Sequence, residues 1–407
     1  MSYNAQILVA ATLGIALGWV LPGIGLDTPF ATSVLYIATL LSGVFIAMLK
    51  MIMIPLVFSS IAVGVSNLSA HHPMHRVWIS TLIFFLSTSA IAVLQGITAM
   101  NVFKPGEGLQ LEMFTQAMHG FEAKQMALPE FFQHFFINLF VNPIAAMADG
   151  NIIGVVVFAL FIGIALVSGQ GKYQKLQNLL EELFQLMMQI VGWIMKLAPL
   201  GIAALLVKLV ATQDAALFES LGKFIAVVTG ITLFHGLIVL PLLVFALTRV
   251  TPWYFWQKTQ PVLLTAFATS SSAATLPLTL RCLEEDMNVD RDVANFVAPL
   301  GAQMNMDGTA LYEAAAALFI ASLAGADLSL GQQFVVCLTA MVAAMGAPGI
   351  PSAGMVTMVM VLQSVGLPVE AIAILLPIDR LLDAFRTSVN VAGDMSGSLV
   401  VQRFAKG

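Results

Sequence analysis

Charge is what this sequence has least of. Only 10% of its 407 residues are Asp, Glu, Lys or Arg, where a soluble domain carries about 25%. A chain so poor in charge cannot cover a folded surface in water, which excludes an ordinary soluble enzyme. Its 59% hydrophobic content excludes a disordered chain. Basic residues are no richer: 17 Lys+Arg against 22 Asp+Glu leave a net charge of −5, so nucleic acid finds no electrostatic footprint. Cysteine is scarce too. Cys282 and Cys337 both sit in apolar runs, and no disulfide framework is expected. No GxxxxGK[ST] loop occurs, nor any polar stretch long enough for a nucleotide-binding domain, which removes ATP as the expected energy source. The first apolar run lacks a basic leader and a small-residue cleavage signature, and reads as a retained span.

Hydrophobic length stands where charge is missing. A membrane-crossing helix needs about 20 apolar residues, and apolar runs fall near 5–22, 33–69, 77–103, 128–170, 177–211, 218–248, 293–324 and 369–400. The second is too long to stand upright and must tilt. The fourth is interrupted at Asn142-Pro143 and again at Asp149-Gly150-Asn151. Lys50, inside the second run, reads as a snorkelling side chain. Basic residues gather in alternate connections: Arg76, Lys172 with Lys175, Arg249 with Lys258, Arg281 with Arg291, and Arg403 with Lys406. The others hold only Lys104 and Lys124. The positive-inside tendency then places both termini in the cytoplasm of a multi-pass cell-membrane protein, which about eight spans satisfy.

Two further apolar segments are not spans. Segment 254–283 is broken by TSSSAATLP, Thr269 to Pro277, and segment 332–366 by GAPGIPSAG, Gly346 to Gly354. Each is an apolar arm, a tip of small residues with proline, and a second apolar arm. The orientation sends the first in from the cytoplasmic side and the second from the outer side. Irregular backbone at membrane depth persists only where it lines protein or an aqueous cavity. Two such re-entrant hairpins from opposite faces are what an inverted-repeat transporter presents.

The polar residues of the last span share one face. At 100° per residue, with Asp383 at zero, Asp379, Arg386, Thr387, Asn390 and Asp394 fall at about −40°, −60°, +40°, −20° and +20°. An ionised group at mid-bilayer costs ~2.5–3.5 kcal/mol on insertion scales, so this stripe demands partners. Three aspartates against one arginine invite cations. The preceding span holds NMDGTALYE, Asn305 to Glu313, where Asp307-Gly308 weakens the helix. The carbonyls freed there, with Asp307 and Asn305, are hard oxygen ligands suited to Na⁺.

These motifs, in this order, resemble the dicarboxylate/amino acid:cation symporter family, which includes the excitatory amino acid transporters and archaeal aspartate transporters. The likeness runs through KMIMIPLVFSS (Lys50 to Ser60), TSSSAATLP, NMDGTALYE, GAPGIPSAGMVTMVMVLQSVGLP (Gly346 to Pro368) and DAFRTSVNVAGD (Asp383 to Asp394), and covers nearly the whole chain. It implies an all-α polytopic membrane protein with about eight transmembrane helices and two oppositely oriented re-entrant hairpins. It implies an inverted-repeat elevator transporter, assembled as a homotrimer and not an enzyme. Residues 1–70 and 128–215 would form the scaffold; 76–105 and 218–407 would form the transport domain. The implied activity is Na⁺-coupled symport of an acidic amino acid, glutamate or aspartate.

The resemblance also implies roles. Asp383 would hold the substrate amino group and Arg386 its side-chain carboxylate, with Ser271, Thr309, Thr387 and Asn390 completing the substrate site. Asp394 with Gly301, Asn305 and Asn390 resembles one Na⁺ site. Asp307 with Thr88, Ser89 and Asn305 resembles another, and Met306 with the carbonyls around Ala344, Met345 and Ala347 a third. Two departures stand out. Archaeal members carry an arginine where this chain has Thr269, and animal members carry it where this chain has Ala384; Arg380, at about +60° on the wheel, is the candidate substitute. Glu313 matches the proton-coupled animal members and makes H⁺ a candidate co-transported cation.

Other readings compete. A channel needs a continuous pore but not the second hairpin. An intramembrane aspartyl protease needs two aspartates on facing helices sharing a proton, whereas Asp383 and Asp394 lie on one helix with Arg386 between them. A dicarboxylate substrate would leave Asp383 without an ammonium partner, and neutral amino acid members carry a small residue at the Arg386 position. His71, His72 and His75 read as solvated loop residues, the 22 methionines as filler, and Glu284, Glu285 and Asp286 as a solvated turn.

Overall fold

A computed structural model describes residues 3–67, 75–109, 137, 139–149, 151–169, 171–212, 215–347 and 353–405. Among these the regular structure is helical, without a strand. Helix α1 (Tyr3–Ile24) turns through Gly25 into α2 (Pro29–Asn67). Thr28 starts α2: its hydroxyl accepts the Ala31 N–H at 3.3 Å, and Pro29 takes a position where no N–H is needed. Pro55 interrupts the α2 ladder, and the Ser59 hydroxyl donates to the Pro55 carbonyl at 2.7 Å. Helix α3 spans His75–Phe103.

The fourth apolar run breaks where its sequence says it should. Asn142 caps α4 (Pro143–Asp149), accepting from the Ile144 N–H at 2.9 Å, and Asn151 caps α5 (Ile152–Ser168), accepting from Gly154 at 3.1 Å. The first part of that run, 128–136, lies outside the described residues, as do His71, His72 and the side chains of Lys50 and His75. Helix α6 covers Gln174–Thr212. Helix α7 (Ala215–Phe234) passes through a π turn at His235–Val239 into α8 (Leu240–Thr248) without leaving its axis. Among the described residues, four stretches are long and apolar enough to cross a membrane: Pro29–Ser66, Arg76–Phe103, Gln174–Thr212 and Ala216–Thr248.

Both expected hairpins are helix–break–helix units whose arms pack on each other. In the first, α9 (Pro252–Thr269) ends at Ser270 in the left-handed region, φ 49°, and α10 (Ser272–Arg281) begins under a Ser271 cap. The break is therefore confined to Ser270-Ser271, and Pro277 sits inside α10. In the second, α13 (Leu330–Gly346) starts on a Ser329/Gln332 capping box and α14 (Ala353–Ser364) returns; the tip, 348–352, lies outside the described residues. Residues Cys282–Asp286 form a π turn in which Glu285 and Asp286 are exposed, as a solvated turn requires. Glu285 accepts from Arg281 one helical turn back at 2.8 Å, and Glu284 accepts from Asn295 at 2.8 Å, so the charges tie the end of the first hairpin to the next helix.

The seventh run is two helices, α11 (Arg291–Met304) and α12 (Asp307–Leu323), split at Asn305-Met306. The chain closes with α15 (Ile372–Ala405). Packing falls into two groups. Helices α1, α2, α5 and α6 pack on one another; α3, α7, α9, α11, α12, α13 and α15 form the second group, with α13 and α14 touching α2 and α15 touching α6.

Candidate functional site

The break at Asn305-Met306 and the middle of α15 meet inside the second group. Two glycines let them do so. A Cβ on Gly301 would lie 2.4 Å from Asp394 Oδ1, and a Cβ on Gly393 would lie 2.4 Å from Asn305 Nδ2, so each helix carries its glycine where the other places a polar side chain. The whole α15 stripe is buried as its spacing predicts: Asp379, Asp383, Arg386, Thr387, Asn390 and Asp394 are each 5% exposed or less.

Around the break the polar groups form two acidic centres. Asp307 Oδ1 accepts from the Ser89 hydroxyl at 2.7 Å. Asp394 Oδ1 accepts from Asn305 Nδ2 at 3.2 Å, while Asn305 Oδ1, equally buried, has no hydrogen-bond partner. The Gly308 N–H, free at the start of α12, donates to Asn390 Oδ1 at 2.9 Å, and Asn390 Nδ2 donates to Thr309 Oγ1 at 3.2 Å. Among the described residues no lysine or arginine pairs with Asp307 or Asp394. Two buried carboxylates held only by neutral donors and an imidazole, beside an orphaned amide oxygen, make an oxygen-rich environment suited to a hard monovalent cation.

About two turns before Asp394 on α15 the balance reverses. Arg386 Nη2 donates to Asp379 Oδ1 and to Asp383 Oδ1, both at 2.8 Å, and its guanidinium carbon lies 4.0 Å from the Tyr312 ring centroid. Arg386 Nε and Nη1 are buried without hydrogen-bond partners, leaving donors available for an anionic group. Arg380 Nη1 reaches Asp383 Oδ2 at 3.3 Å, so the residue singled out as a substitute arginine does enter this cluster. Gly354, at the start of the second hairpin's returning arm, stands over both halves: a Cβ there would lie 3.1 Å from Thr309 Cγ2 and 3.8 Å from Arg386 Cζ.

Not every expected residue converges. Ser271 caps α10 through the Ala274 N–H at 3.1 Å, and the Thr88 hydroxyl donates to the Phe85 carbonyl at 3.2 Å. Met306 is buried in the break, its carbonyl accepting from Ala310 at 2.9 Å. Ala344 accepts from the Ala347 N–H at 3.1 Å, and Met345 and Ala347 border a cavity of about 380 Å³ shared with Ser60, Glu181, Gln303 and Met304. Glu313 is fully buried; its Oε1 accepts a short hydrogen bond from Thr357 on α14, and its Oε2 has no partner.

Two side chains escaped the sequence reading. His235 Nε2 approaches Asp307 Oδ2 at 3.4 Å, and its Nδ1 approaches Gln95 Oε1 at 2.9 Å. A histidine inside a span is a signal in its own right, but one polar residue in an apolar run shows no stripe. Thr357 gave no signal: its partner lies 44 residues away.

Comparison with known proteins agrees over the whole length. Residues 4–404 match the sequence model of the sodium:dicarboxylate symporter family. The chain is 34% identical over 446 residues to excitatory amino acid transporter 3 of Mus musculus, covering 98% of this chain and 84% of the relative. It is 36% identical over 408 residues to excitatory amino acid transporter 3 of Homo sapiens, covering 88% and 78%. To the putative sodium-dependent excitatory amino acid transporter glt-4 of Caenorhabditis elegans it is 36% identical over 411 residues, covering 89% and 82%.

Proposed function

The chain belongs to the sodium:dicarboxylate symporter family, and from that premise we propose that it is a secondary active transporter carrying an acidic amino acid, glutamate or aspartate, together with Na⁺. The observation that carries this reading is the side-by-side placement of two buried clusters of opposite need. Asp307 and Asp394 place buried carboxylate oxygens beside the orphaned Asn305 oxygen, with no lysine or arginine paired to them among the described residues. Arg386, with Nε and Nη1 unpartnered, offers charged N–H donors to a carboxylate.

In this reading Asp383 takes the substrate's ammonium group and Arg386 its side-chain carboxylate. Asn390 and Thr309, already hydrogen-bonded to each other, take the α-carboxylate, with Thr387 and Ser271 alongside. The pairing of Arg386 with Asp379 and Asp383 neutralises the site between turnovers. Na⁺ binds at Asp307 with Thr88, Ser89 and Asn305, at Asp394 with Gly301, Asn305 and Asn390, and at Met306 with the Ala344, Met345 and Ala347 carbonyls. Because Asn390 belongs to both the cation and the substrate set, filling one organises the other. Glu313 is the candidate proton carrier; its Thr357 hydrogen bond ties it to the hairpin that closes over the substrate.

The two packing groups support a division into a scaffold, 1–70 and 128–215, and a transport domain, 76–105 and 218–407, that moves as an elevator within a homotrimer. Both hairpins re-enter from opposite faces in this reading, and both termini are cytoplasmic. Gly346 beside Ser60, near the end of α2 that this orientation puts inside, supports an inward-positioned transport domain.

Competition binding of aspartate, glutamate and serine in saturating Na⁺ tests the substrate assignment. Arg386→Cys is expected to weaken aspartate and glutamate by about 30-fold to several thousand-fold, from ~2–5 kcal/mol for truncating a buried charge pair, and to admit serine. Aspartate affinity kept within a few-fold would make Arg386 structural and overturn the assignment.

A further inference from the structure

The π turn in the sixth span has a consequence for the cation site. His235 opens that turn and is completely buried. The widened turn brings the backbone of Gly236 against α15, where a Cβ would lie 2.6 Å from Val389 Cγ2, so only glycine fits there without a shift. With the backbone so placed, the imidazole reaches between α3 and α12. Gln95 fixes the ring from the Nδ1 side at 2.9 Å; in the tautomer whose Nε2–H donates toward Asp307 Oδ2 at 3.4 Å, Nδ1 accepts and the Gln95 amide turns its N–H to the ring. Ser89 holds the other carboxylate oxygen at 2.7 Å. The two oxygens of Asp307 are therefore gripped from two helices, α3 and the π turn after α7, while Asp307 itself begins a third.

A carboxylate with this surround cannot rotate freely. Its remaining lone pairs face the break, where Asp307 Oδ2 lies 3.4 Å from the Cβ position of Gly393 and the Asn305 amide is adjacent. Outer partners of this kind fix the orientation of a metal-ligating side chain. We propose that His235 is a positioning residue for Na⁺: it sets the plane of the Asp307 carboxylate through Nε2, and Gln95 sets the ring. The proposal rests on the reading of Asp307 as a cation ligand. It adds the sixth span to the elements that hold the cation site.

Binding of ²²Na⁺ to the purified, detergent-solubilised protein without substrate provides the test, with monodispersity as the check on folding. His235→Ala is expected to raise the Na⁺ dissociation constant about 10–100-fold, the usual range for loss of an outer-shell partner. Aspartate affinity in saturating Na⁺ should stay within about threefold of wild type, a split that a general packing defect would not give. His235→Gln places an amide donor near the Nε2 position and should restore Na⁺ affinity to within about threefold. Should His235→Ala fail to fold, Gln95→Ala decides: a smaller rise, roughly 3–10-fold by the same outer-shell logic, is expected. Na⁺ affinity unchanged in His235→Ala, equally lost in His235→Gln, or, where His235→Ala fails to fold, unchanged in Gln95→Ala, overturns the proposal. No measurable Na⁺ binding by the wild-type protein would instead defeat the symport reading itself.

Discussion

Helices α1, α2 and α6 and helices α12 and α15 belong to one chain, yet they bury opposite things. Among the described residues, the buried polar side chains of α1, α2 and α6 are Ser42, Ser59 and Ser66 alone, and several of their large apolar side chains point outward: Trp19 is 78% exposed and Tyr36 69%. Helix α12 buries Asp307, Thr309 and Glu313, and α15 buries three aspartates, an arginine and an asparagine. In water such an exposed apolar face would mark a missing partner; in a bilayer the lipid is the partner, and burial is reserved for groups the lipid cannot solvate. The contrast teaches where to look for function. The ionisable groups of α12 and of the α15 stripe sit where hydrophobic groups would sit in a soluble protein, and each is held by a named neighbour.

That comparison can be broken in graded ways. The largest effect expected after the Arg386 substitution falls on Glu313. If this buried carboxyl carries a proton with each substrate, raising the pH on the loading side withdraws that proton, and wild-type uptake declines. Glu313→Gln should keep substrate binding while uptake varies by less than about twofold between roughly pH 5.5 and 8.5. Uptake by the wild type that is already flat over that interval removes the proton from the account. At the other extreme lies Trp19. Removing a side chain that faces outward should change Na⁺ and substrate constants by less than about twofold, in line with ordinary surface substitutions. A large loss on Trp19→Ala would show that the α1–α2–α6 group does more than face lipid.

Much of this arrangement was legible in the sequence because it repeats. The α15 stripe was readable since six polar residues obey one helical period, and all six are buried together. The helix break was readable from Asp307-Gly308, although the break itself falls two residues earlier, at Asn305-Met306, and Asp307 opens the new helix. Both hairpin breaks were visible as runs of small residues, but the extent of the first was not: Ser270 takes the left-handed conformation, and Pro277 is absorbed into a helix. What stayed hidden are the contacts that have no period. His235 with Asp307, and Thr357 with Glu313, join residues from different helices, and neither partner announces the other. The mutual engagement of Arg386 with Asp379 and Asp383 was half legible, since spacing put the three on one face but could not say that they pair with each other.

The central claim is that the carboxylates at the break, Asp307 and Asp394, are a seat for cations whose gradient drives uptake. Proteoliposomes loaded without Na⁺ and given each gradient separately test it most directly. With inward Na⁺ the protein should concentrate radiolabelled aspartate or glutamate, and an inside-negative potential should increase the accumulation, since each net positive charge carried inward draws about 2.3 kcal/mol from 100 mV. With choline in place of Na⁺, concentrative uptake should vanish. Undiminished accumulation driven by a proton gradient alone, with no Na⁺ present, would contradict the account.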